Sequence, residues 1–384
     1  MRSSPENNRR DLKRSIFSPV RNRGLRFVAM LTSIVTGGVL LTTGYGGMVN
    51  PQEGAVWAIG AMLFPLVLGW SVFLLAVNLV WFRRAAAVNV ISLAFSMSAI
   101  LTFCPMHFFR PSEAEVERMK SPKFKLMTYN MLNLDDYSKG FCSLGDGNPT
   151  VEYILRESPD IVVCQEGAAI EPGKKNVTED QYERIAAAFP YRHVNSRGMG
   201  ILSRYPVAAD LIRHEDQWLY DVNRYEVSLP EEKITIFNLH LQSLGLTAGD
   251  KEIYHHLTSG NAEDVGVIRT SLISKLTSAL RKRAIQAQVV RSAVDSTRGT
   301  VIVCGDFNDI PGCYAQRLIQ GDDLRDAYRE AGFGPAITYH ADRFFFRIDH
   351  ILYRGGLKPL RAWVGTNESS DHFPLIAWFE LAEN

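Results

Sequence analysis

The chain has 384 residues and a formal net charge of +1, with 46% hydrophobic and 22% charged residues; that composition excludes a disordered or collagen-like polypeptide. The near-neutral total averages two unlike parts, +7 on residues 1–104 and −6 on residues 105–384, which excludes a single uniform soluble globule. Length allows two or three domains.

In chain order, residues 1–25 form a basic tail with Arg2, Arg9, Arg10, Lys13, Arg14, Arg21 and Arg23, and Arg26 follows directly. Three uncharged stretches come next: 26 residues over 27–52, 29 over 54–82 and 25 over 85–109. A hydrocarbon core of roughly 30 Å needs about 20 apolar residues as helix. Residues 26–104 are therefore expected to be a three-helix transmembrane anchor, with helices near 26–46, 55–81 and 86–104. Trp57 and Trp81 fall at the ends of the second helix, where amphipathic rings favour the interface. Pro65 is expected to kink it. Core helices of this length would show a polar face, and these do not. A cleaved signal peptide disagrees with the two spans that follow the first and with the lack of an A-x-A-like site.

Positive charge adjoins the tail and the second loop (Arg83-Arg84), and the first loop has no base. The tail and second loop are thus expected inside. Three spans then place everything after about residue 105 on the outer, periplasmic side of the inner (cytoplasmic) membrane.

Residues 105–122 read as a polar, Pro-bounded linker or short juxtamembrane helix, and residues 123–384 as one domain. Short β-rich runs recur through it: KLMTYNML, DIVVCQE, MGILSRYP, EKITIFNLHL, TVIVCGDFN, RIDHILYR and LIAWFELA. Helical patterns lie between them at 150–157, 180–188 and 267–294. Strands mixed with helices imply an α/β or α+β layered fold. The five cysteines (Cys104, Cys142, Cys164, Cys304, Cys313) show neither a disulfide framework nor zinc spacing, and Cys164 and Cys304 read as buried thiols.

The chemistry-bearing side chains fall at or near the ends of apolar strands. Asn130 ends KLMTYN, Glu166 follows DIVVCQ, Asp306 and Asn308 follow VIVCG, and His240 stands in FNLHLQ. Asp349 lies in FRIDHIL, and Asp371-His372 precede the last strand. Strand ends on a rigid sheet present side chains into a common cleft. Carboxylates with an amide are oxygen donors suited to a hard cation. Taken singly, each has a plainer reading: Asn130 as a turn or cap, Glu166 as a structural ion pair, Asp306 and Asn308 as turn residues, His240 as a core histidine.

Together, TYN, QE, NLHL, GDFND, RIDHIL and SDHFP, in that order across residues 123–384, resemble the endonuclease/exonuclease/phosphatase superfamily of metal-dependent phosphoesterases. The resemblance implies a four-layer α/β sandwich of two packed β-sheets flanked by helices, here preceded by three transmembrane helices. It implies Mg²⁺, with Mn²⁺ as a substitute, held by Asn130 and Glu166, with Asp371 adding to the metal shell directly or through water. By the same resemblance Asp306 would orient and deprotonate water, and Asn308 would hold the phosphate or the nucleophile. His372 would stabilise phosphate charge, Asp349 would fix its tautomer, and His240 would serve as second histidine. The reaction implied is in-line attack of water on a phosphoester, most simply a phosphodiester.

Other candidates read as structural. His255-His256 fall in a surface loop over 246–266, and Arg281-Lys282-Arg283 on the exposed face of the long helix. Arg204 is a candidate for the cleft rim, while strand alternation turns His350 away from it. The substrate reads as nucleic acid, phospholipid or a small phosphoester. The −6 balance disfavours a long nucleic-acid track, the tether brings a lipid bilayer into play, and no protein partner is inferable. The alternative is a catalytically silent binding or sensing domain on the same fold.

Overall fold

The computed structural model of the protein describes residues 20, 22–139, 147–168, 170–211, 222–244, 265–341 and 345–381. The basic residues Arg2 to Arg21, Cys142 and the His255-His256 pair lie outside the described residues.

The apolar region folds as α1 (Arg23–Tyr45), α2 (Pro51–Met62), α3 (Phe64–Trp81), α4 (Arg83–Phe95) and α5 (Met97–Phe103). Asn22 and Asn50 cap α1 and α2 by accepting from the backbone amides of Leu25 and Gln52. The helix expected over 55–81 is two helices broken at Leu63, because Pro65 carries no amide hydrogen to continue the first. Trp57 accordingly sits inside the short α2 rather than at the end of a span. Residues 23–48 and α3 are each long and apolar enough to cross a membrane. The pair α4–α5, bent by 64°, makes a third crossing if it counts as one.

Helices α1, α3 and α4 pack on one another. A buried polar knot joins them: the Asn78 amide donates to Ser33 Oγ at 2.9 Å and to Asn89 Oδ1 at 2.8 Å. One end of the bundle holds Arg23, Arg26 and Arg83-Arg84, with the Val20 amide on the Trp81 carbonyl at 3.2 Å. At the other end the Tyr45 hydroxyl donates to the Phe95 carbonyl at 2.7 Å and Phe64 meets Phe103 edge to face.

The helix α6 (Glu113–Arg118), closed by a Ser112/Glu115 capping box, leads into the sandwich. Its strands are β1 (Lys123–Asn130), β2 (Ile161–Gln165), β3 (Tyr191–Val194), β4 (Gly200–Ser203), β5 (Val207–Leu211), β6 (Val222–Ser228), β7 (Lys233–His240), β8 (Thr300–Asp306), β9 (Arg325–Asp326), β10 (Asp349–Arg354), β11 (Leu357–Val364) and β12 (Leu375–Leu381). The described strands form two six-stranded sheets, ordered β11-β12-β1-β2-β4-β3 and β5-β6-β7-β8-β10-β9. Each contains one parallel pair, β1 with β2 and β7 with β8, flanked by antiparallel neighbours.

Between the sheets lies the main core, where Leu126, Ile161 and Val163 meet Ile236, Ile302 and Ile351. On the outer face of the first sheet, α7 (Pro149–Glu157) and α8 (Glu179–Ala188) bury Ile154 and Ile185 against Met127 and Val162. On the outer face of the second, α9 (Val265–Asp295) and α10 (Tyr314–Gln320) bury Val290 and Ile319 against Phe237 and Val303. The architecture is therefore the four-layer α/β sandwich expected from the sequence. A last short helix, α11 (Ala327–Ala331), packs its Ala327 and Tyr328 into the inter-sheet core.

The bundle is docked directly on the sandwich by its second end. Gln52 Nε2 donates to the Arg281 carbonyl on α9 at 2.9 Å, and Arg347 donates to the Thr102 carbonyl at 3.2 Å. Ala61 of α2 shares a buried apolar cluster with Ile310, Cys313 and Ile348. The Gly46-Gly47 turn lies so close to Gly312-Cys313 that a Cβ on Gly47 would stand 2.0 Å from the Gly312 carbonyl oxygen.

Candidate active site

Strand alternation decides which side chains share the inter-sheet layer. Along β1, Phe124 and Leu126 face inward, and the same parity brings Asn130 inward at the strand's end. Along β7 and β8, inward Ile236 and Ile302 continue to His240 and Asp306. Asp349 opens β10 directly opposite Asp306, and His240 is paired in register with Asp306 on its other side. Both parallel pairs end at this edge, so their polar last residues converge there.

Asp306 is the hub. Its Oδ2 accepts from the Asn130 amide at 3.2 Å and lies 3.6 Å from His372 Nε2 and 3.7 Å from His240 Nε2. Its Oδ1 accepts from the Asn308 amide at 2.8 Å. Asn130 donates also to Glu166 Oε1 at 3.1 Å, and His240 Nε2 is 3.6 Å from that same oxygen. Asp349 Oδ2 accepts from His372 Nδ1 at 2.9 Å. The side chains read from the sequence as Asn130, Glu166, His240, Asp306, Asp349 and His372 are thus gathered in one cleft.

Glu166, one of these six, and Asn308, beside Asp306, depend on an uncommon backbone. Glu166 (φ +43°) and Asn308 (φ +50°) are left-handed just beyond β2 and β8, a conformation that re-aims a side chain out of the strand plane at some strain. Gly305 sits at φ +134°, and a Cβ there would meet the Leu239 carbonyl oxygen at 2.1 Å, so only glycine allows β8 to approach β7 just before Asp306. Asn308 places its amide on the Leu241 carbonyl at 2.9 Å, where it ties the β7 and β8 ends together.

The electrostatics follow from burial and charge. Burial alone would lower the pKa of His372, yet the charges of Asp349 and Asp306 outweigh it and hold the ring up at about 10, which favours its charged form. Burial holds the Asp371 carboxyl above its usual range; His372 opposes this, and the neighbouring charges of Glu166 and Asp306 add to it.

No group of three or more His, Cys, Asp or Glu side chains among the described residues is arranged to hold a metal ion by itself. The donors available are the oxygens of Glu166, Asp306, Asp371 and the Asn130 amide, close enough for the carboxylates to act on one another's ionisation. An oxygen-only set with excess negative charge fits a hard divalent cation whose remaining positions are filled by water or substrate.

Supporting residues escaped the sequence reading. Gln165 and Asn238 suture the two sheets beneath the site through a 2.7 Å bond. Ser370 donates to the Asn130 carbonyl at 2.7 Å and accepts from the His372 amide at 3.2 Å, so the SDH turn is pinned to the end of β1. Arg283, read as exposed, is buried; it donates to the Asn308 carbonyl and to Asp309 Oδ1 at 3.2 Å, bracing the loop after Asp306. The signal was its position: 276, 280, 283, 287 and 290 follow one helical stripe with Leu276, Leu280, Ala287 and Val290.

Arg204 lies outside the cleft. It pairs with Asp160 at 3.3 Å, at the end of β2 opposite the site, because GILSRYP runs antiparallel to β2. His350 is buried on the outer face, its Nε2 donating to the Asp309 carbonyl at 2.8 Å.

A profile described as the Endonuclease/Exonuclease/phosphatase family matches residues 127–372. Among solved structures, the chain is similar to an endonuclease/exonuclease/phosphatase from Beutenbergia cavernae (18% identity, 68% of this chain and 72% of that one, TM-score 0.43). It is similar also to a truncated Caenorhabditis elegans TDP2 (17% identity, 67% and 98%, TM-score 0.43). A third is ANGEL2, described as a 2',3'-cyclic phosphatase (16% identity, 69% and 97%, TM-score 0.43). A search of curated protein sequences finds no match.

Proposed function

The chain belongs to the endonuclease/exonuclease/phosphatase family, and from that premise we propose that it is a membrane-anchored, Mg²⁺-dependent phosphoesterase that hydrolyses phosphodiester bonds. Members of the family are phosphoesterase hydrolases that use divalent metal ions. The observation that carries the reading is Asp306 standing within 3.7 Å of both histidines and bonded to the amide that also holds Glu166.

Glu166, Asn130 and Asp371 would hold the cation, which supplies Lewis acidity and neutralises phosphate charge. Asp306 takes a proton from the attacking water as the water oxygen bonds to phosphorus, opposite the ester oxygen whose bond breaks. His372, kept charged by Asp349, donates from Nε2 to a non-bridging phosphate oxygen as negative charge builds there. His240, on the other side of Asp306, donates to a phosphate oxygen or to the departing one. Asn308 holds the loop so that Asp306 stays aimed.

Residues 26–104 serve as the anchor and 123–384 as the catalytic domain. The docking supports an orientation: the sandwich sits at the end of the bundle opposite Arg23, Arg26, Arg83 and Arg84. With the arginines inside, the site faces the outer side of the membrane. The −6 balance of residues 105–384 supports a lipid or small phosphoester over a long nucleic acid.

The test is hydrolysis of an aryl phosphodiester, a phospholipid panel and plasmid DNA by the full chain in detergent, with Mg²⁺. His372→Ala and Asp306→Ala are each expected to lose on the order of 10²–10⁴ in turnover. Undiminished activity in both variants would overturn the assignment of the site.

A further inference from the structure

The sandwich and the segment that leads into it expose large apolar side chains beside the end of the bundle: Met106, Phe108, Phe109, Phe333, Ile337 and Phe345. Phe109 is fully exposed, and Phe108 stacks edge-on against Phe333 at 5.1 Å. Soluble surfaces seldom carry aromatic groups of this size in one region.

Their place relative to α5 is set by hydrogen bonds. Residues 105–109 follow directly on the helix that ends at Phe103, and the Pro105 carbonyl accepts from the Gly334 amide at 2.7 Å. Phe345 is two residues from Arg347, whose guanidinium holds the Thr102 carbonyl in the last turn of that helix. Ile337 adjoins Thr338, whose amide donates to the Phe346 carbonyl at 2.9 Å. Every one of these side chains is therefore tied within a few residues of the point where the bundle ends. The headgroup region on each side of a hydrocarbon core is several ångströms deep, roughly 5–8 Å, and the patch begins where α5 ends. Arg110, its guanidinium 5.7 Å above the Phe333 ring, gives the mixed aromatic and basic rim that such an interface favours.

We propose that this patch is a second contact with the bilayer: Phe108, Phe109, Phe333 and Phe345 sit in the headgroup layer and hold the catalytic domain flat on the membrane. This rests on the reading of the helices as membrane-spanning. The patch is joined to the site through Tyr339, which forms a β-bridge with Phe346 on one side and His372 on the other, so the pose of the domain fixes the height of the cleft above the lipid.

A photoreactive p-benzoylphenylalanine introduced at Phe109, Phe345, Phe73 or Tyr191 tests this in the full chain. The chain is reconstituted in vesicles of phosphatidylethanolamine and phosphatidylglycerol. Phe73 lies in α3, and Tyr191 lies on β3 at the far edge of the first sheet. Lipid adducts at Phe109 and Phe345 several-fold above those at Tyr191, with strong adducts at Phe73, are the expected result. Adducts at Phe73 without adducts at Phe109 and Phe345 would overturn the patch while leaving the membrane reading standing. Equal adducts at Tyr191 would overturn it as well, since the contact would lack a face. No adduct at Phe73 would overturn the membrane reading and the patch with it.

Discussion

One buried ion pair braces the loop after Asp306. Arg283 and Asp309 are both almost wholly inaccessible and 3.2 Å apart. Removing one member of a buried pair leaves the other charge without its counter-ion, though Asp309 keeps the Ala315 amide and Arg283 the Asn308 carbonyl, at a cost of about 3–5 kcal/mol. Arg283→Met should therefore lower the apparent melting temperature sharply, and Arg283→Met with Asp309→Leu should recover part of the loss. Equal losses in single and double variants would show that the charge is immaterial.

His350 sets a pH dependence. Burial, with the Arg347 charge adding to it, pushes its pKa from 6.5 down to about 4. The unfolded chain binds that proton at higher pH than the folded one. Its contribution to stability is then complete above about pH 6.5 and is lost as pH falls toward 4, by about 3 kcal/mol. His350→Gln should flatten that part of the stability–pH curve, measured by denaturation between pH 7 and 4.5; an unchanged slope would refute the assignment. Neither environment was legible from composition. Arg283 follows a buried stripe that basic residues rarely join, and His350 was placed on the outer face by alternation alone.

At the level of elements, the sequence marked every strand that carries a site residue. Apolar runs such as DIVVCQ and TVIVCG are long enough to be read without context. It missed β3, β5, β6, β9 and β11, whose alternating or partly exposed residues give a weak signal. The turn between α1 and α2 is an element whose role depends on what it touches. Gly47 packs against the backbone of Gly312-Cys313, four residues past Asn308. Gly47→Ala forces that contact apart, and overpacking of this kind costs typically 1–3 kcal/mol. Faster amide exchange over residues 310–316 in the variant is the expected readout, and unchanged protection would mean that the turn does not brace the loop.

For the whole molecule, the helical bundle of residues 23–103 is part of the scaffold of the sandwich. Ala61 and Met62 pack with Ile310, Cys313, Ile348 and Tyr339 in one cluster, and Gln52 and Thr102 add polar contacts. A chain lacking residues 1–104 should melt lower and aggregate more readily. Its Cys313 should react with a maleimide that spares the same thiol in the full chain. Equal protection of Cys313 in both would show that the sandwich is complete without the bundle.

The sequence by itself determined the family, the layered α/β class, the apolar segments and the strand ends that carry acid, amide and imidazole groups. All of these are local patterns of residue type and period, which a single chain carries in its order. Only the tertiary structure decided that Asp306 is the hub between His372, His240 and Asn130, that Arg283 is buried beneath it, that the second apolar stretch breaks in two, and that the bundle rests on the loop after Asp306. Those depend on which strands pair across the sandwich and how closely backbones approach, and such distances arise between residues far apart in the chain.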